Sequence, residues 1–220
     1  AAGSTQWPFN AIFFEAAMRL GIPNVDVDAV GGTGYAPNNV FTRPSDSFLG
    51  RLPVMSRMPS DLFITAGGIN DNNWLALPPY ATGADARAGF EAATRRYFQE
   101  LRAAMPDSVL AATGPWQPNQ AFYPQSANDK ADTTRAALRA VAGPWVFVDN
   151  LRGGWESSSG ASSAPANAAW QTGTGNVSQP RGDGNADLYV SGDGVHPSAA
   201  GSRYLGEQLA NSLKAAIASL

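Results

Sequence analysis

Residues 61–71 read DLFITAGGIND, a short apolar run followed by two glycines and a polar pair. An apolar run of this length, bounded by turn-forming residues, is typical of a strand buried in a sheet. If the sheet is parallel, Asn70 and Asp71 lie at the carboxyl ends of its strands, where open α/β sheets hold their active sites. The stretch therefore predicts a buried strand with a candidate site in the loop that follows it.

The segments on either side alternate between helical and strand-like patterns. Helices are predicted at residues 7–20, 85–105, 130–141 and 198–220, and strands at residues 25–30, 61–66, 109–113 and 145–148. This alternation is typical of a parallel sheet covered by helices, an α/β fold. Apolar and acidic residues alternate in 25–30, which predicts a strand with one wet face near an edge of the sheet. Gly21 and Ser198 are predicted to cap helices.

Composition limits the class of protein. The chain has 220 residues, of which 44% are hydrophobic and 15% charged, enough for a sizeable core. We predict a single domain over residues 1–220, with a long Gly- and Ser-rich surface loop at about 151–186. A net charge of −3 without a basic run argues against nucleic acid or an anionic membrane as a partner. No apolar run reaches the roughly 20 residues of a transmembrane helix.

The chain has no cysteine and one histidine. Disulfides, thiolate catalysis and cysteine metal sites are therefore excluded, and a multi-histidine zinc site cannot form within one chain. We expect no metal and no other cofactor. The compartment stays open, although the small residues at positions 1–4 can follow a signal cleavage site and favour a secreted or periplasmic location.

The single histidine lies in DGVHP, residues 193–197, just before the last predicted helix. A serine hydrolase needs an imidazole to accept the proton of its nucleophile, and a carboxylate to orient that imidazole. Asp193 precedes His196 by three residues, and Gly194 permits the bend that lets the two side chains meet. A bare Asp-x-x-His is more often an ordinary surface turn, but the full string with the only histidine favours a catalytic pair.

Two glycine-rich loops follow predicted strands. In residues 67–71, Asn70 can donate its side-chain N–H to a developing oxyanion, and Asp71 can accept backbone N–H groups; a plain turn is an equal interpretation. In residues 31–35, GGTGY, a glycine can let a backbone N–H approach a substrate oxygen. Judged without the other motifs, this stretch is better explained as a flexible turn. A phosphate loop does not fit, because no Gly-x-Gly-x-x-Gly, following lysine or immediate helix is present.

Taken in chain order, these three motifs resemble the blocks of the SGNH (GDSL-like) hydrolase family over essentially the whole chain. Gly32, or Gly34 as the fallback, matches the second block. The strings GxND at 68–71 and DxxHP at 193–197 match the third and fifth blocks. The resemblance implies a flavodoxin-like three-layer α/β/α sandwich with a central parallel sheet.

The resemblance also implies ester hydrolysis through a Ser-His-Asp triad. On that basis His196 is the catalytic base and Asp193 its carboxylate partner. Gly32 donates a backbone N–H to the oxyanion hole, and Asn70 donates a side-chain N–H. The third donor is the N–H of the nucleophile itself.

The chain departs from the family at the first block, a Gly-Asp-Ser at the end of the first strand. That block should precede the helix that opens at Trp7, and no strand fits before Ser4. The pair Asp46-Ser47 follows a serine rather than a glycine and lacks a preceding apolar strand. We therefore expect the first strand and the nucleophile to be absent from this chain.

An interior strand cannot be lost without leaving its neighbours short of ladder hydrogen bonds. We expect an upstream peptide to complete the sheet and to carry the serine, and we expect the chain to be inactive without that peptide. The expected substrates are short acyl esters or O-acetyl groups on carbohydrate, cleaved through an acyl-enzyme. Trp74 and Trp116 follow strand ends and can line the cleft, with core or loop packing as an equal interpretation.

The alternative from another class is a catalytically inactive SGNH-like domain that binds carbohydrate or a partner protein. The missing serine favours this alternative, whereas the Asp193–His196 pair and Asn70 disfavour it. A nucleotide-binding flavodoxin-like module rests on fold analogy alone.

Overall fold

The computed structural model describes residues 2–36, 44–68, 70–71, 83–115, 124–152 and 197–220. The helices are α1 (Ala2–Leu20), α2 (Phe48–Met55), α3 (Gly83–Ala104), α4 (Pro124–Arg139) and α5 (Ala199–Ile217). The strands are β1 (Leu62–Thr65), β2 (Val109–Thr113) and β3 (Trp145–Val148). Contacts divide the chain into two units, residues 1–31, 117–124 and 148–220, and residues 32–116 and 125–147.

The unit of residues 32–116 and 125–147 holds the sheet, whose strand order is β1-β2-β3. Strands β1 and β2 are parallel, with Leu62 opposite Val109 and Thr65 opposite Ala112. Helix α3 follows β1 and α4 follows β2 along the chain, as parallel pairing requires. The predicted α/β class with a parallel sheet is confirmed. Strands β2 and β3 have the predicted bounds, and β1 is one residue shorter at each end.

The core of this unit is built around Tyr35, which is fully buried. Its ring packs against those of Phe48, Phe90, Tyr97 and Phe98, with centroid distances of 5.0–5.9 Å. Aromatic pairs at these separations add to the stabilisation that burial itself provides. Because Tyr35 ends the glycine-rich loop of residues 31–35, its packing anchors that loop on α2 and α3.

Helix α2 was not predicted from the sequence. It contains Pro53, which argues against a helix on propensity, and it starts with a capping serine. The Ser47 hydroxyl accepts from the N–H of Gly50 at 3.1 Å and donates to the carbonyl of Pro44 at 2.8 Å. With 2% exposure and both bonds used in the cap, Ser47 is arranged as a structural residue rather than as a nucleophile.

Arg102, near the end of α3, donates hydrogen bonds to carbonyl groups just before two strands. One guanidinium nitrogen donates to the carbonyls of Met105 (3.2 Å), Pro106 (3.0 Å) and Ser108 (2.8 Å), just before β2. The other donates to the carbonyl of Pro144 at 2.7 Å, just before β3. The planar fork of arginine suits this convergence of carbonyl groups.

In the other unit, α1 packs on α5. Ile12, Ala16 and Ala17 of α1 are buried, as the predicted helical spacing requires. Gly206 of α5 lies so close to α1 that a Cβ at this position would come within 2.6 Å of the Glu15 side chain. Helix α1 begins earlier than predicted, and it ends at Gly21, whose φ of 71° is typical of a helix-ending glycine.

The predicted strand at residues 25–30 is wrong. Burial does alternate along it: Val25, Val27 and Ala29 are half-buried, whereas Asp26, Asp28 and Val30 are exposed. A strand also needs to belong to a ladder of paired strands, and residues 25–30 are not part of one in the described chain. Alternation of apolar and acidic residues in the sequence predicts which side chains are buried, but it does not show that a neighbouring strand is present to pair with.

One prediction concerns residues that lie mostly outside those that the structure describes. The long loop predicted at about 151–186 is described only as far as Arg152.

Helix α4 was predicted at 130–141 but begins earlier, with Pro124 in a first turn that tolerates proline. Among the described helices, none combines the length and apolar character needed to cross a membrane.

Candidate active site

The loop after β1 forms a tight turn. Gly68 has a φ of 110°, a conformation that L side chains rarely adopt, and its carbonyl accepts the N–H of Asp71 at 3.3 Å. Gly67 lies against the ring of Phe48, which leaves no room for a Cβ. The turn places Asn70 and Asp71 at the carboxyl end of β1, as the sequence predicted.

The second glycine-rich loop meets this turn. The side-chain nitrogen of Asn70 donates to the carbonyl of Thr33 at 3.0 Å, directly after Gly32. Gly32 itself has a φ of 78°, so the local backbone path depends on a glycine. The structure therefore brings together the two predicted oxyanion donors, Gly32 and Asn70, within one hydrogen-bonded arrangement of loops.

Asp71 holds the same two loops together from the other side. One carboxylate oxygen accepts the N–H of Ala36 at 2.9 Å, and the other accepts the N–H of Tyr35 at 3.3 Å. Gly34 lies directly against this carboxylate, and any Cβ at Gly34 would overlap it. Gly34, the fallback for the oxyanion glycine, thus has a packing role that explains its presence independently.

The Asp71 carboxyl group is buried together with a lysine. Burial raises the pKa of Asp71 to about 6, and the charge of Lys130 and the backbone N–H bonds oppose that rise. Lys130 of α4 is 8% exposed, and its ammonium donates to the Gly68 carbonyl at 2.9 Å. Burial lowers the pKa of Lys130 to about 8, and the charge of Asp71 opposes the change. The opposite charges of the two side chains therefore favour each other's ionised form, against the effect of burial.

Sequence reasoning missed Lys130, although a signal existed. Lys130 lies four residues before Thr134 and eight before Leu138, both of which are fully buried. A lysine at a core-facing helical position needs a partner. The sequence could thus have shown that Lys130 is buried, but not that the partners are Gly68 and Asp71.

The side-chain amide of Asn70 has a second N–H besides the one that it donates to Thr33. A carboxamide nitrogen carries two hydrogens, and the bond to Thr33 uses one of them. Since Asn70 is half-buried at the end of a parallel strand, its second hydrogen is suited to a substrate oxygen.

A match to a known protein family covers the same segments of the chain. Residues 6–204 match the model of the GDSL-like Lipase/Acylhydrolase family. The chain belongs to this family. The family match runs from α1 into α5, and it therefore includes both loops of the site and the segment of the single histidine. Membership supports hydrolase activity in general terms.

A structural comparison agrees with the family assignment at the level of the fold. A solved crystal structure aligns with 84% of this chain and 76% of its own, at 18% sequence identity and a TM-score of 0.50. A likeness of this kind supports the α/β fold and says nothing of substrate. A search of curated proteins found no significant match.

The remaining residues predicted for this family's site lie outside the described residues. They are Asp193, His196, Trp74 and Trp116. The described chain resumes at Pro197, which is buried, and Ser198 then caps α5 by accepting the N–H of Gly201 at 3.0 Å. In the described residues, no three acidic, histidine or cysteine side chains are grouped as metal ligands would be.

Proposed function

We propose that this member of the GDSL-like family is a serine esterase that hydrolyses carboxylic esters through a Ser-His-Asp triad. In this proposal His196 accepts the proton of the serine hydroxyl, and Asp193 holds the imidazole in the required tautomer. The Gly32 backbone N–H and the Asn70 side chain stabilise the oxyanion. The observation that carries the proposal is the 3.0 Å bond from Asn70 to Thr33, which sets an amide donor beside the Gly32 loop.

The reaction has two halves. The serine oxygen attacks the ester carbonyl carbon while its proton passes to His196, and the tetrahedral intermediate releases the alcohol after His196 returns the proton. Water then attacks the acyl-enzyme by the same route and releases the acid. A single oxyanion donor stabilises such a transition state by about 3 kcal/mol, so Asn70 contributes mainly to kcat.

We propose that the nucleophile of the triad lies outside residues 1–220. The sequence has no Gly-Asp-Ser block, and Ser47 is buried in a helix cap. Within the described sheet β1 is the terminal strand, and Leu62, Phe63 and Ile64 are only half-buried although they are apolar. Apolar edge strands of this kind usually need covering or pairing.

We infer that a parallel strand from an upstream segment pairs with the edge of β1 that none of the described strands occupies. Its carboxyl end then carries the serine to the same edge of the sheet as Asn70, because parallel strands end together. The segment also supplies the neighbour that the apolar side chains of β1 need for full burial.

The proposed substrates are short acyl esters or O-acetyl groups on carbohydrate. We propose that Trp74 and Trp116 line the substrate cleft, because an indole ring can stack on a sugar ring, which would distinguish a glycan deacetylase from a general esterase.

Steady-state kinetics on the protein that includes its upstream segment test the proposal. We expect hydrolysis of p-nitrophenyl acetate in preference to longer esters, and acetate release from acetylated glycans. His196→Ala should lower kcat by at least about 1,000-fold, and Asn70→Ala by roughly 100-fold, with little change in KM. Arg139→Ala, an exposed change in α4, is the control for handling and folding. Full activity in His196→Ala would contradict the proposal.

The inactive carbohydrate- or protein-binding domain remains the second candidate, favoured by the missing Gly-Asp-Ser block alone. It predicts saturable glycan or protein binding that His196→Ala leaves unchanged, without ester turnover in the longer protein.

A further inference from the structure

We propose that Lys130 and Asp71 are positioning residues for the oxyanion hole. Together they hold the loop of residues 32–36 and the turn of residues 67–71 in the placement that the Gly32 and Asn70 donors require. The inference rests on the proposed function, and it adds to the site a lysine of α4 that none of the sequence motifs contains.

Asp71 fixes the backbone that follows Gly32. Its carboxylate accepts the N–H groups of Tyr35 and Ala36, at 3.3 and 2.9 Å. Gly34 has no side chain to hold this carboxylate away, so the loop wraps closely around it. Any displacement of the carboxylate therefore moves the peptide groups of Tyr35 and Ala36, in the same loop as Gly32.

Lys130 fixes the turn that carries Asn70. Its ammonium donates to the Gly68 carbonyl at 2.9 Å, and this carbonyl also closes the turn by accepting the N–H of Asp71. The ammonium lies 5.8 Å from the ring centroid of Phe90 in α3, which adds a cation–π contact. The lysine thus ties α4 to the peptide group two residues before Asn70.

Burying an acidic and a basic side chain near each other is a poor device for stability alone. Removing two charges from water has a penalty that their mutual attraction often fails to offset, and apolar replacements are frequently neutral or stabilising. Burial shifts the pKa of Asp71 upwards and that of Lys130 downwards, so the fold disfavours both charged forms. Geometry at the oxyanion donors, rather than stability, explains what the pair contributes.

Kinetics of Lys130→Met test this inference in the protein with its upstream segment. We expect kcat to fall by roughly 10- to 100-fold with KM changed by less than about 3-fold, because a misplaced oxyanion donor weakens only the transition state. Lys130→Arg, which keeps a charged donor, should retain more of kcat than Lys130→Met. The matched control is Arg139→Met, the same kind of change at an exposed position of α4.

A double-mutant cycle separates positioning from a general structural effect. In an Asn70→Ala background, Lys130→Met should lower kcat by a smaller factor than in the wild type, because one of the two donors that it helps to position is already gone. The inference is overturned if kcat falls equally in both backgrounds, if Arg139→Met gives the same loss, or if Lys130→Met leaves kcat unchanged.

Hydrogen exchange of the Tyr35 and Ala36 amides gives a readout that does not need turnover. We expect both amides to exchange faster in Lys130→Met than in the wild type, because the Asp71 carboxylate loses its counter-charge. If the longer protein shows no esterase activity, the proposed function fails, and faster exchange would still support the loop placement. Unchanged exchange at both amides would overturn the placement itself.

Discussion

At the scale of single residues, the glycines of the site have different physical roles. Gly32 and Gly68 have positive φ values of 78° and 110°, so they are needed for the backbone path. Gly34 and Gly67 are needed because a Cβ would overlap the Asp71 carboxylate or the Phe48 ring. Both kinds of glycine allow the loops to approach each other closely enough for the bond from Asn70.

Asp71 also makes a testable contribution to the pH dependence of stability. Because burial raises its pKa from 3.8 to about 6, the native state binds this proton more tightly than the unfolded state does. The contribution of Asp71 to stability is therefore greatest below about pH 4 and is lost as the pH rises towards 6. Its size is on the order of 3 kcal/mol at most.

Chemical denaturation at pH 4, 5, 6 and 7 checks this expectation. The free energy of unfolding of the wild type, minus that of Asp71→Asn, should decrease from pH 4 to 6 and then level off. Asp132→Asn, at an exposed position of α4, is the control. A difference that is independent of pH, or that grows as the pH rises, would show that the Asp71 carboxyl group is not buried in this way.

At the scale of elements, the sequence predicted those helices and strands that have local signals. Strands β2 and β3 are short apolar runs, and Pro106 and Ser198 mark helix boundaries that the structure confirms. Helix α2 was missed because Pro53 argues against a helix, whereas tertiary packing of Leu52 in the core overrides that preference. The prediction of a strand at residues 25–30 was wrong, although its predicted alternation of burial was correct. A strand also needs a partner strand that is distant in sequence, and no local pattern shows whether that partner is present.

Arg102 gives the prediction that belongs to this scale, since it joins α3 to the starts of β2 and β3. Arg102→Ala removes the donors to four carbonyl groups and should lower the free energy of unfolding by about 2–4 kcal/mol. Arg96→Ala is the matched control, because its ion pair with Glu100 in the same helix is largely exposed. That change should have an effect of no more than about 1 kcal/mol.

Urea denaturation of the two variants measures the comparison. Equal effects of Arg102→Ala and Arg96→Ala would mean that the carbonyl bonds of Arg102 add little to the junction between helix and sheet.

At the scale of the whole molecule, the sequence identified the family, and it predicted a site with Gly32 and Asn70, whose loops the structure joins through the bond from Asn70 to Thr33. It did not identify Lys130, because the bond from Lys130 to Gly68 joins residues 62 positions apart and no local pattern encodes it. The partial burial of the apolar side chains of β1 is likewise a property of the assembled sheet. It is expected if a strand from elsewhere in the protein pairs with β1.

Labelling with a fluorophosphonate probe, read by intact mass and peptide mapping, tests this account most directly. Residues 1–220 alone should gain no probe mass, whereas the protein with its upstream segment should gain one probe, on a serine of that segment, and His196→Ala should abolish the labelling. Labelling of a serine within residues 1–220, or the absence of any labelling in the longer protein, would contradict it.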